Sequence, residues 1–355
     1  MSSHGEDRLP LIHFTRHELS AEQNYAIWCQ ATDTLFDIAL HSPAQAASFH
    51  AELTSYSLGS VLLGHTRSVA QCFSRSTATI ARSGIDHIIV QLYLVGGYHG
   101  CAGSASIEVQ PGDICVLDCA ETFETQASDF ENLTLVIPRA LLEATLPRLE
   151  ALHGLVLKAG STWNCILSQH LRVLYEQAPR MTLRECEKIA SGTLALLAAC
   201  LQGEIEARDA QAGAQITRTV LQVRRYIDEH LSDPSLSAEQ VAARFALSRA
   251  TLYRLFEPFG GVAGYIRARR LRRAFFALRA RELANLRISD IAQRCGFASM
   301  ATFTRAFKAA YGVTPAALRS VSALNPTRPN PHDAALDDGL GITRWMHEIT
   351  ADNIR

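Results

Sequence analysis

Side chains that could hydrogen bond to the edges of DNA bases occur on one face of a short predicted helix that follows Ser248. Leu252, Leu255 and Phe256 fall at i, i+3 and i+4, a spacing that predicts a helix with one buried face. Ser248 is placed to cap its N-terminus. The opposite face would present Arg249, Ala250, Tyr253 and Arg254. Outward side chains of this kind are what a helix needs in order to read a major groove.

The same pattern returns about fifty residues later. Ser299 is placed to cap a helix that buries Phe303, Ala306 and Phe307. The outer face of this second helix would present Met300, Ala301, Thr304, Arg305 and Lys308. The repetition predicts a second reading face of similar construction.

Arg254 and Arg305 are the guanine contacts that we expect, because one guanidinium can donate to both O6 and N7 of guanine. Ala250 and Ala301 are too small to hydrogen bond to a base. Tyr253 could add to base reading in the first helix. The predicted phosphate contacts are Ser248, Thr302 and Lys308.

A shorter helix is predicted before each reading helix. In the first unit, Ser237 and Gln240 match a capping box, and a turn follows at residues 246–247. In the second, Ser289 is the expected cap and Gly296 supplies a turn with positive φ. A single unit could be an ordinary helical hairpin with a basic surface. Two matched units favour tandem helix-turn-helix elements.

The charge distribution supports contact with phosphates. Residues 215–320 contain eighteen basic and seven acidic side chains, an excess of eleven positive charges in a chain whose net charge is -1. A domain that binds nucleic acid, joined to an acidic partner domain, produces such an asymmetry. A solvated arginine-rich surface is the alternative that charge alone leaves open.

A long helix is predicted between the two units, over residues 262–281. Its expected inward-facing residues are Tyr265, Leu271, Ala274, Phe275 and Leu278. Such a helix would hold the units in a fixed relation. If their reading helices lie about 34 Å apart, one protomer can reach two successive major grooves of double-stranded DNA.

These motifs resemble those of the AraC/XylS family of transcriptional regulators. The match rests on A-x-x-F-x-L-S-x-x-x-L-x-R-x-F at 242–256, I-x-x-I-A-x-x-C-G-F at 288–297, F-x-R-x-F-K at 303–308 and Y-G-V-T-P at 311–315. The resemblance implies that the two outward faces approach bases. It also implies an effector-binding sensor domain and an activator that recruits RNA polymerase. Pro258 is unusual in this pattern and would shorten the first reading helix.

The N-terminal part alternates short apolar runs with turn residues, from about residue 50 to 137. This pattern predicts a β-sandwich or barrel. The strand-turn-strand around Pro111-Gly112-Asp113 resembles the turn of cupin-like sensor domains. The fold class expected is therefore a cupin-like β domain with a helical segment, followed by an all-α tandem helix-turn-helix domain. The expected boundaries are a sensor domain at 1–140, a helical segment at 141–208, a linker at 209–214, the DNA-binding domain at 215–322 and a tail at 323–355 without an assigned role.

The resemblance implies a small-molecule effector inside the sensor domain. Arg75, Tyr93, Tyr98 and His99 are the candidate contacts, although surface or core placement is equally open for each. No metal or other cofactor is expected, because His99 lacks the His-x-His partner of a metal-binding cupin. The segment 141–208 could pair two subunits into a homodimer.

Other function classes find little support in the sequence. Nine scattered cysteines without a C-x-x-C pair signal neither a disulfide framework nor a common zinc site. No signal peptide or membrane span is expected, so the protein is expected in the cytoplasm. The alternative is a DNA-binding module fused to an enzyme, either a metal cupin or a cysteine-based alkyl acceptor. No catalytic motif supports it, and a non-enzyme is expected.

Overall fold

Antiparallel strands form the N-terminal unit, and helices form the unit that follows it. In the computed structural model, the described residues are 9–14, 19–103, 105–143, 145–146, 148–211, 215–280, 283–323, 345, 346 and 349. The first unit comprises described residues of 1–206 and of 329–355, and the second comprises described residues of 207–328. The expected fold class, a β domain followed by a helical domain, is confirmed.

The N-terminal unit contains two sheets whose strands all pair in the antiparallel sense. The strands are β1 (Leu11–Phe14), β2 (Asp37–Ala39), β3 (Ala51–Ser57), β4 (Leu62–Ser68), β5 (Gln71–Arg75), β6 (Ile88–Val95), β7 (Tyr98–Ala102), β8 (Ala105–Val109), β9 (Ile114–Asp118), β10 (Phe123–Ala127), β11 (Phe130–Ile137) and β12 (Leu155–Leu157). One sheet has the order β1-β3-β4-β11-β6-β9-β12, and the other has the order β2-β5-β10-β7-β8.

Five helices complete this unit. They are α1 (Ala21–Thr32), α2 (Thr77–Ser83), α3 (Arg139–Glu143), α4 (Thr162–Gln177) and α5 (Leu183–Gln211). The strand β12 pairs with β9, so the segment 141–208 is not wholly helical as its periodicity suggested. The three residues of β12 are all buried. An apolar run this short cannot be assigned to strand or helix from periodicity.

Both faces of the seven-stranded sheet are buried, which explains its nearly continuous apolar runs. Along β6, Ile88, Val90 and Leu92 pack with α4 and α5 in one core. Ile89 and Tyr93 alternate with them and pack toward the five-stranded sheet in a second core. The strands of a sheet that is covered on both faces lose the alternation of polar and apolar residues.

The second unit consists of seven helices among the described residues. They are α6 (Gln215–Glu229), α7 (Ala238–Arg244), α8 (Arg249–Phe256), α9 (Val262–Arg279), α10 (Ile288–Arg294), α11 (Met300–Tyr311) and α12 (Pro315–Ala323). The helix α5 extends through Gln211, three residues into the predicted linker 209–214, of which residues 212–214 lie outside the described range.

The long helix α9 contributes to the cores of both helical pairs. Its first turns bury Val262 and Tyr265 against α7 and α8. Its last turns bury Phe275, whose ring centroid lies 6.3 Å from that of Phe307 and 4.8 Å from that of Tyr311. The five inward-facing residues predicted for this helix are all buried. One helix therefore links the two cores within this unit.

Arg270 of α9 forms hydrogen bonds with the chain that follows α6. Its Nε donates to Leu231 O at 3.0 Å, and its Nη2 donates to Asp233 O at 2.5 Å. Gly296, with φ of 82°, lies against the same carbonyl, since a Cβ built there would be 2.1 Å from Leu231 O. The turn of the second helix-turn-helix is thus packed on the chain just after α6.

Two capping details differ from the sequence prediction. Ser237 accepts from Gln240 N at 3.3 Å, but the Gln240 side chain donates to Ser235 instead of closing a capping box. In the second unit, Arg287 is the N-cap residue, not Ser289, and its backbone N donates to the Asp290 carboxylate at 3.3 Å. The acidic residue in the first turn therefore replaces the serine hydroxyl as the capping group.

Candidate nucleic-acid interface and ligand cavity

The two reading helices begin with the same cap. Ser248 Oγ accepts from Thr251 N at 3.1 Å, and Ser299 Oγ accepts from Thr302 N at 3.4 Å. Each serine thereby satisfies one of the backbone N–H groups that a helix start leaves unpaired. The two helices consequently begin at equivalent positions of their units.

The faces of these helices are divided as their spacing predicts. Leu252 and Phe256 of α8 are fully buried, as are Phe303 and Phe307 of α11. The opposite side chains are exposed, with Thr304 half-buried. Exposed positions include Arg249, Ala250, Tyr253, Arg254, Met300, Ala301, Thr302, Arg305 and Lys308. Tyr253 and Met300 are large side chains that remain 49% and 42% exposed, although burial is the usual state of such residues.

Among the described cations of the two reading faces, Arg249 is the one whose partner is a carboxylate. Its Nη2 lies 2.7 Å from Glu239 Oε1 on α7, and both side chains are largely exposed. An exposed pair of this kind contributes little to stability. In DNA binding, Arg249 must exchange this carboxylate before it can contact a base or a phosphate.

The two units differ in their turns and in helix length. Ala246 has φ of 51° in the first turn, where the second has Gly296. The helix α8 ends at Phe256, and a 3-10 turn at Glu257–Phe259 that contains the proline follows it. The helix α11 continues through Tyr311. The first reading helix is therefore shorter, as the proline predicted.

A cavity lies between the two sheets of the N-terminal unit. Its volume is about 90 Å³. A single water needs roughly 10–15 Å³, so a small organic molecule has room. The lining residues are Trp28, Thr32, Leu35, Phe36, Leu53, Ser55, Leu62, Gly64, Thr66, Phe73, Ile89, Gln91, Tyr93, Tyr98, Leu117, Phe123, Thr125, Phe130, Asn132, Thr134, Val136 and Met346.

Polar residues form a row on the cavity wall that the seven-stranded sheet provides. Ser55, Gly64, Thr134 and Gln91 are neighbours in register on β3, β4, β11 and β6. Gln91 Nε2 donates to Thr134 Oγ1 at 3.4 Å. A buried sandwich face usually carries apolar residues. A polar row there indicates a surface that can hydrogen bond to a ligand.

Tyr98 lines the cavity from the five-stranded sheet. Its ring centroid lies 5.2 Å from that of Tyr93, and burial raises the pKa of both hydroxyls far above their usual value. Among the described residues, the Tyr98 hydroxyl has no hydrogen-bond partner of normal geometry. The polar group beside it is the Cys115 thiol. A buried hydroxyl in this state is available to a ligand.

Two family models match this chain in the order of its units. An AraC-binding-like domain matches residues 30–202, and a helix-turn-helix domain matches residues 241–320. The chain belongs to the AraC/XylS family of transcriptional regulators. It is accordingly a DNA-binding transcriptional regulator.

Individual AraC/XylS proteins agree with this assignment. The transcriptional activator NphR of Rhodococcus is 24% identical over 320 residues, which cover 88% of this chain and 94% of NphR. The regulator Rob of Salmonella typhimurium is 42% identical over 99 residues, 27% of this chain and 33% of Rob. The crystal structure of the AraC-like transcriptional activator CuxR is similar with a TM-score of 0.51 and 26% identity, over 74% of this chain and 93% of that one.

In this AraC/XylS protein, two of the four predicted effector contacts line the cavity, namely Tyr93 and Tyr98. Arg75 does not, and its prediction is corrected. It is 1% exposed and donates to Thr34 O, Leu35 O, Ile85 O, Cys119 O and Ser83 Oγ at 2.6–3.1 Å. All of its donor groups thus serve to hold segments of the domain together.

His99 is also outside the cavity. It is exposed and lines a shallow groove beside His41 and Gln126. Because side chains alternate along a strand, the neighbour of the inward-facing Tyr98 must face the other way. The cavity residues outside the predicted set include Trp28 on α1 and Gln91, Asn132 and Thr134 on strands. The three strand residues become recognisable only when strand register is known.

Three of the buried cysteines are poor nucleophiles. Burial raises the pKa of Cys119 to about 12 and the pKa of Cys186 and Cys295 to about 11. A thiol must ionise to act as a nucleophile. These three thiols therefore give no support to a cysteine-based enzyme. Within the described ranges, none of the helices combines the length and apolar character needed to cross a bilayer.

Proposed function

We propose that the protein reads DNA by placing α8 and α11 in two successive major grooves. The observation that supports this proposal is the pair of matched exposed faces, each carrying an arginine at the same position, Arg254 and Arg305. The connecting helix α9 has 18 residues and is therefore about 27 Å long. This length is of the same order as one turn of DNA, about 34 Å.

Arg254 and Arg305 are the proposed guanine contacts, with Tyr253 and Thr304 beside them. The small side chains of Ala250 and Ala301 allow each helix to approach the bases closely. The remaining proposed base contacts are Arg249 and Met300, and the proposed phosphate contacts are Ser248, Thr302 and Lys308. The hydroxyl of Ser248 and the backbone N of Thr302 also belong to the helix caps, which fixes where the phosphates would lie.

The first test replaces Arg254 with alanine and measures binding to a DNA site selected by the wild-type protein from a random pool. Loss of a bidentate guanine contact costs about 1–3 kcal/mol, so specific affinity should fall about 5- to 150-fold. Binding to random DNA should fall much less, because phosphate contacts dominate there. Gel-shift titrations with both DNAs give the comparison, and Arg305→Ala should show the same pattern at a different base position.

The matched control is Arg225→Ala on α6. It removes another exposed arginine, which is paired with Glu229 at 2.7 Å and lies outside the reading helices. It should change binding to both DNAs by the same small factor. An equal loss on selected and random DNA in Arg254→Ala would contradict the proposed reading role.

We further propose that the cavity between the sheets binds an uncharged, largely apolar effector with at least one hydrogen-bonding group. Among the described lining residues there is no Asp, Glu, Lys, Arg or His. A buried charged ligand would lack a counter-charge there, at a cost of several kcal/mol. Neutral partners are available instead, in the polar row and in the Tyr98 hydroxyl.

Two nearly isosteric probes, 2-naphthamide and 2-naphthoate, test the proposed ligand class. The neutral amide should raise the melting midpoint of the full-length protein, and the carboxylate should not, because only a ligand that binds the native state stabilises it. Tryptophan fluorescence is the suitable signal, since Trp28, Trp163 and Trp345 all belong to the N-terminal unit. Tyr98→Phe should reduce the shift. A larger shift with the carboxylate than with the amide would rule out a neutral site.

We propose that the regulator activates transcription by recruiting RNA polymerase. NphR and CuxR, two relatives whose matches extend over both units, are each described as transcriptional activators. This likeness supports the direction of regulation, which the geometry of the DNA-binding unit alone leaves open.

A further inference from the structure

Three residues that follow the DNA-binding unit in the chain are buried in the sensor unit. Trp345, Met346 and Ile349 are 4%, 4% and 5% exposed, and all three belong to the core between the two sheets. Ile349 N donates to Trp345 O at 3.1 Å, as in a helical turn. These three residues of the tail, to which sequence analysis assigned no role, therefore supply part of the hydrophobic core of the sensor.

A buried histidine fixes the register of this segment. His87 is 1% exposed, and its Nε2 lies 2.6 Å from Met346 O. Burial lowers the pKa of His87 to about 4, so the ring is neutral near pH 7 and donates a proton from Nε2 to this carbonyl. The hydrogen bond selects one backbone carbonyl and thereby decides which tail side chain points to the cavity.

The side chain so selected is Met346. It lines the cavity together with Tyr93 and Tyr98, whereas Trp345 and Ile349 do not line it. A methionine side chain is flexible and polarisable, and it adapts to ligands of different shape. Any ligand that fills the cavity can therefore contact a residue that lies 23 positions after the end of α12.

We propose that Met346 forms part of the wall of the effector site, so that effector binding and docking of the buried tail residues Trp345, Met346 and Ile349 stabilise each other. The proposal rests on the proposed effector site between the sheets. Contacts between effector and Met346 exist only when the tail is docked. Because coupling between two binding events is reciprocal, the effector must then tighten the docking of the tail by the same factor.

The chain contains four methionines, which makes methyl NMR of the full-length protein a direct test. In a sample labelled with ¹³C-methyl methionine, Met346 reports on the tail, Met300 on the DNA-reading face and Met181 on the helical layer, while Met1 lies outside the described residues. The Met346 signal, assigned by its loss in Met346→Leu, should differ from its position in the denatured chain. Addition of 2-naphthamide should shift it and leave Met181 unchanged.

The affinity of variants for 2-naphthamide tests the contribution of Met346 quantitatively. Met346→Ala should weaken binding at least fivefold, and Met346→Leu, which keeps the volume, should remain within about twofold of the wild type. The control is Met181→Ala, which removes a partly buried methionine outside the cavity, one whose Sδ lies 3.8 Å from Cys186 Sγ. This variant should bind 2-naphthamide as the wild type does. A melting curve by tryptophan fluorescence checks that each variant is folded.

Two outcomes would overturn the proposal while leaving the effector site intact. One is a melting shift with 2-naphthamide without any change in the Met346 signal, and the other is wild-type affinity in Met346→Ala. A Met346 signal at its denatured position in the ligand-free protein would also overturn it, since the tail would then be undocked. Failure of 2-naphthamide to bind at all would overturn both this proposal and the proposed neutral site, while DNA reading would still be tested by Arg254→Ala.

Discussion

Replacing Arg75 with methionine is expected to destabilise the sensor unit by about 4 kcal/mol or more. The guanidinium donates to four backbone carbonyls and one hydroxyl, and the residue is 1% exposed. Methionine fills a similar volume but leaves these carbonyls buried without a donor. Each buried polar group left unsatisfied costs about 1–3 kcal/mol. Burial lowers the pKa of Arg75, so removal of the cation recovers part of its desolvation cost but does not satisfy the carbonyls.

Chemical denaturation followed by tryptophan fluorescence measures this effect in the sensor unit, because all three tryptophans lie there. The control is Arg82→Met, which removes a largely exposed guanidinium at 3.0 Å from Asp37 Oδ1. Its effect should remain within about 0.5 kcal/mol, as is usual for exposed pairs. Equal denaturation midpoints for the two variants would show that the network around Arg75 is dispensable.

Gly296→Ala is expected to produce the second large effect, a loss of about 3 kcal/mol or more in the DNA-binding unit. An alanine at φ of 82° costs about 1–2 kcal/mol by itself. Its Cβ would also lie 2.1 Å from Leu231 O and 2.6 Å from Arg270 Nε, so the backbone after α6 must move. That movement would displace the second helix-turn-helix relative to the first. Binding to a selected site that spans both half-sites should fall at least tenfold.

Gly312→Ala separates the backbone cost of positive φ from the cost of the close contact with Leu231 O. Gly312 has φ of 74°, but no heavy atom lies within 4 Å of a Cβ built there, so only the backbone cost remains. Gel shifts should show near-normal DNA binding for this variant, and circular dichroism should report a smaller loss of helix stability than in Gly296→Ala. The tryptophan-detected transition of the sensor should be unchanged in both. Similar behaviour of the two glycine variants would contradict a role for the contact with Leu231.

Local periodicity was sufficient to predict the helices that carry the DNA-reading faces. The burial of Leu252, Phe256, Phe303 and Phe307 follows from spacing within a single helix, and the structure confirms it. Capping was less predictable, because several polar residues compete at a helix start. Ser289 has a suitable hydroxyl, yet the cap lies two residues earlier, at Arg287, whose backbone N donates to the Asp290 carboxylate.

The sensor cavity depends on contacts between distant parts of the chain, which a single sequence does not reveal. Arginine is a residue type that often contacts ligands. Only the fold shows that the N–H groups of Arg75 donate to backbone carbonyls between residues 34 and 119. The row from Ser55 to Gln91 exists only through the register of four strands. The strand β12 was too short to be distinguished from helix.

The burial of Trp345 in the sensor has a consequence for synthesis on the ribosome. A domain that is complete near residue 206 could fold while the rest of the chain is still being translated. Here the last side chains of its core emerge only after the entire DNA-binding unit. The nascent sensor must therefore wait with an unfinished interior until Trp345, Met346 and Ile349 have been translated.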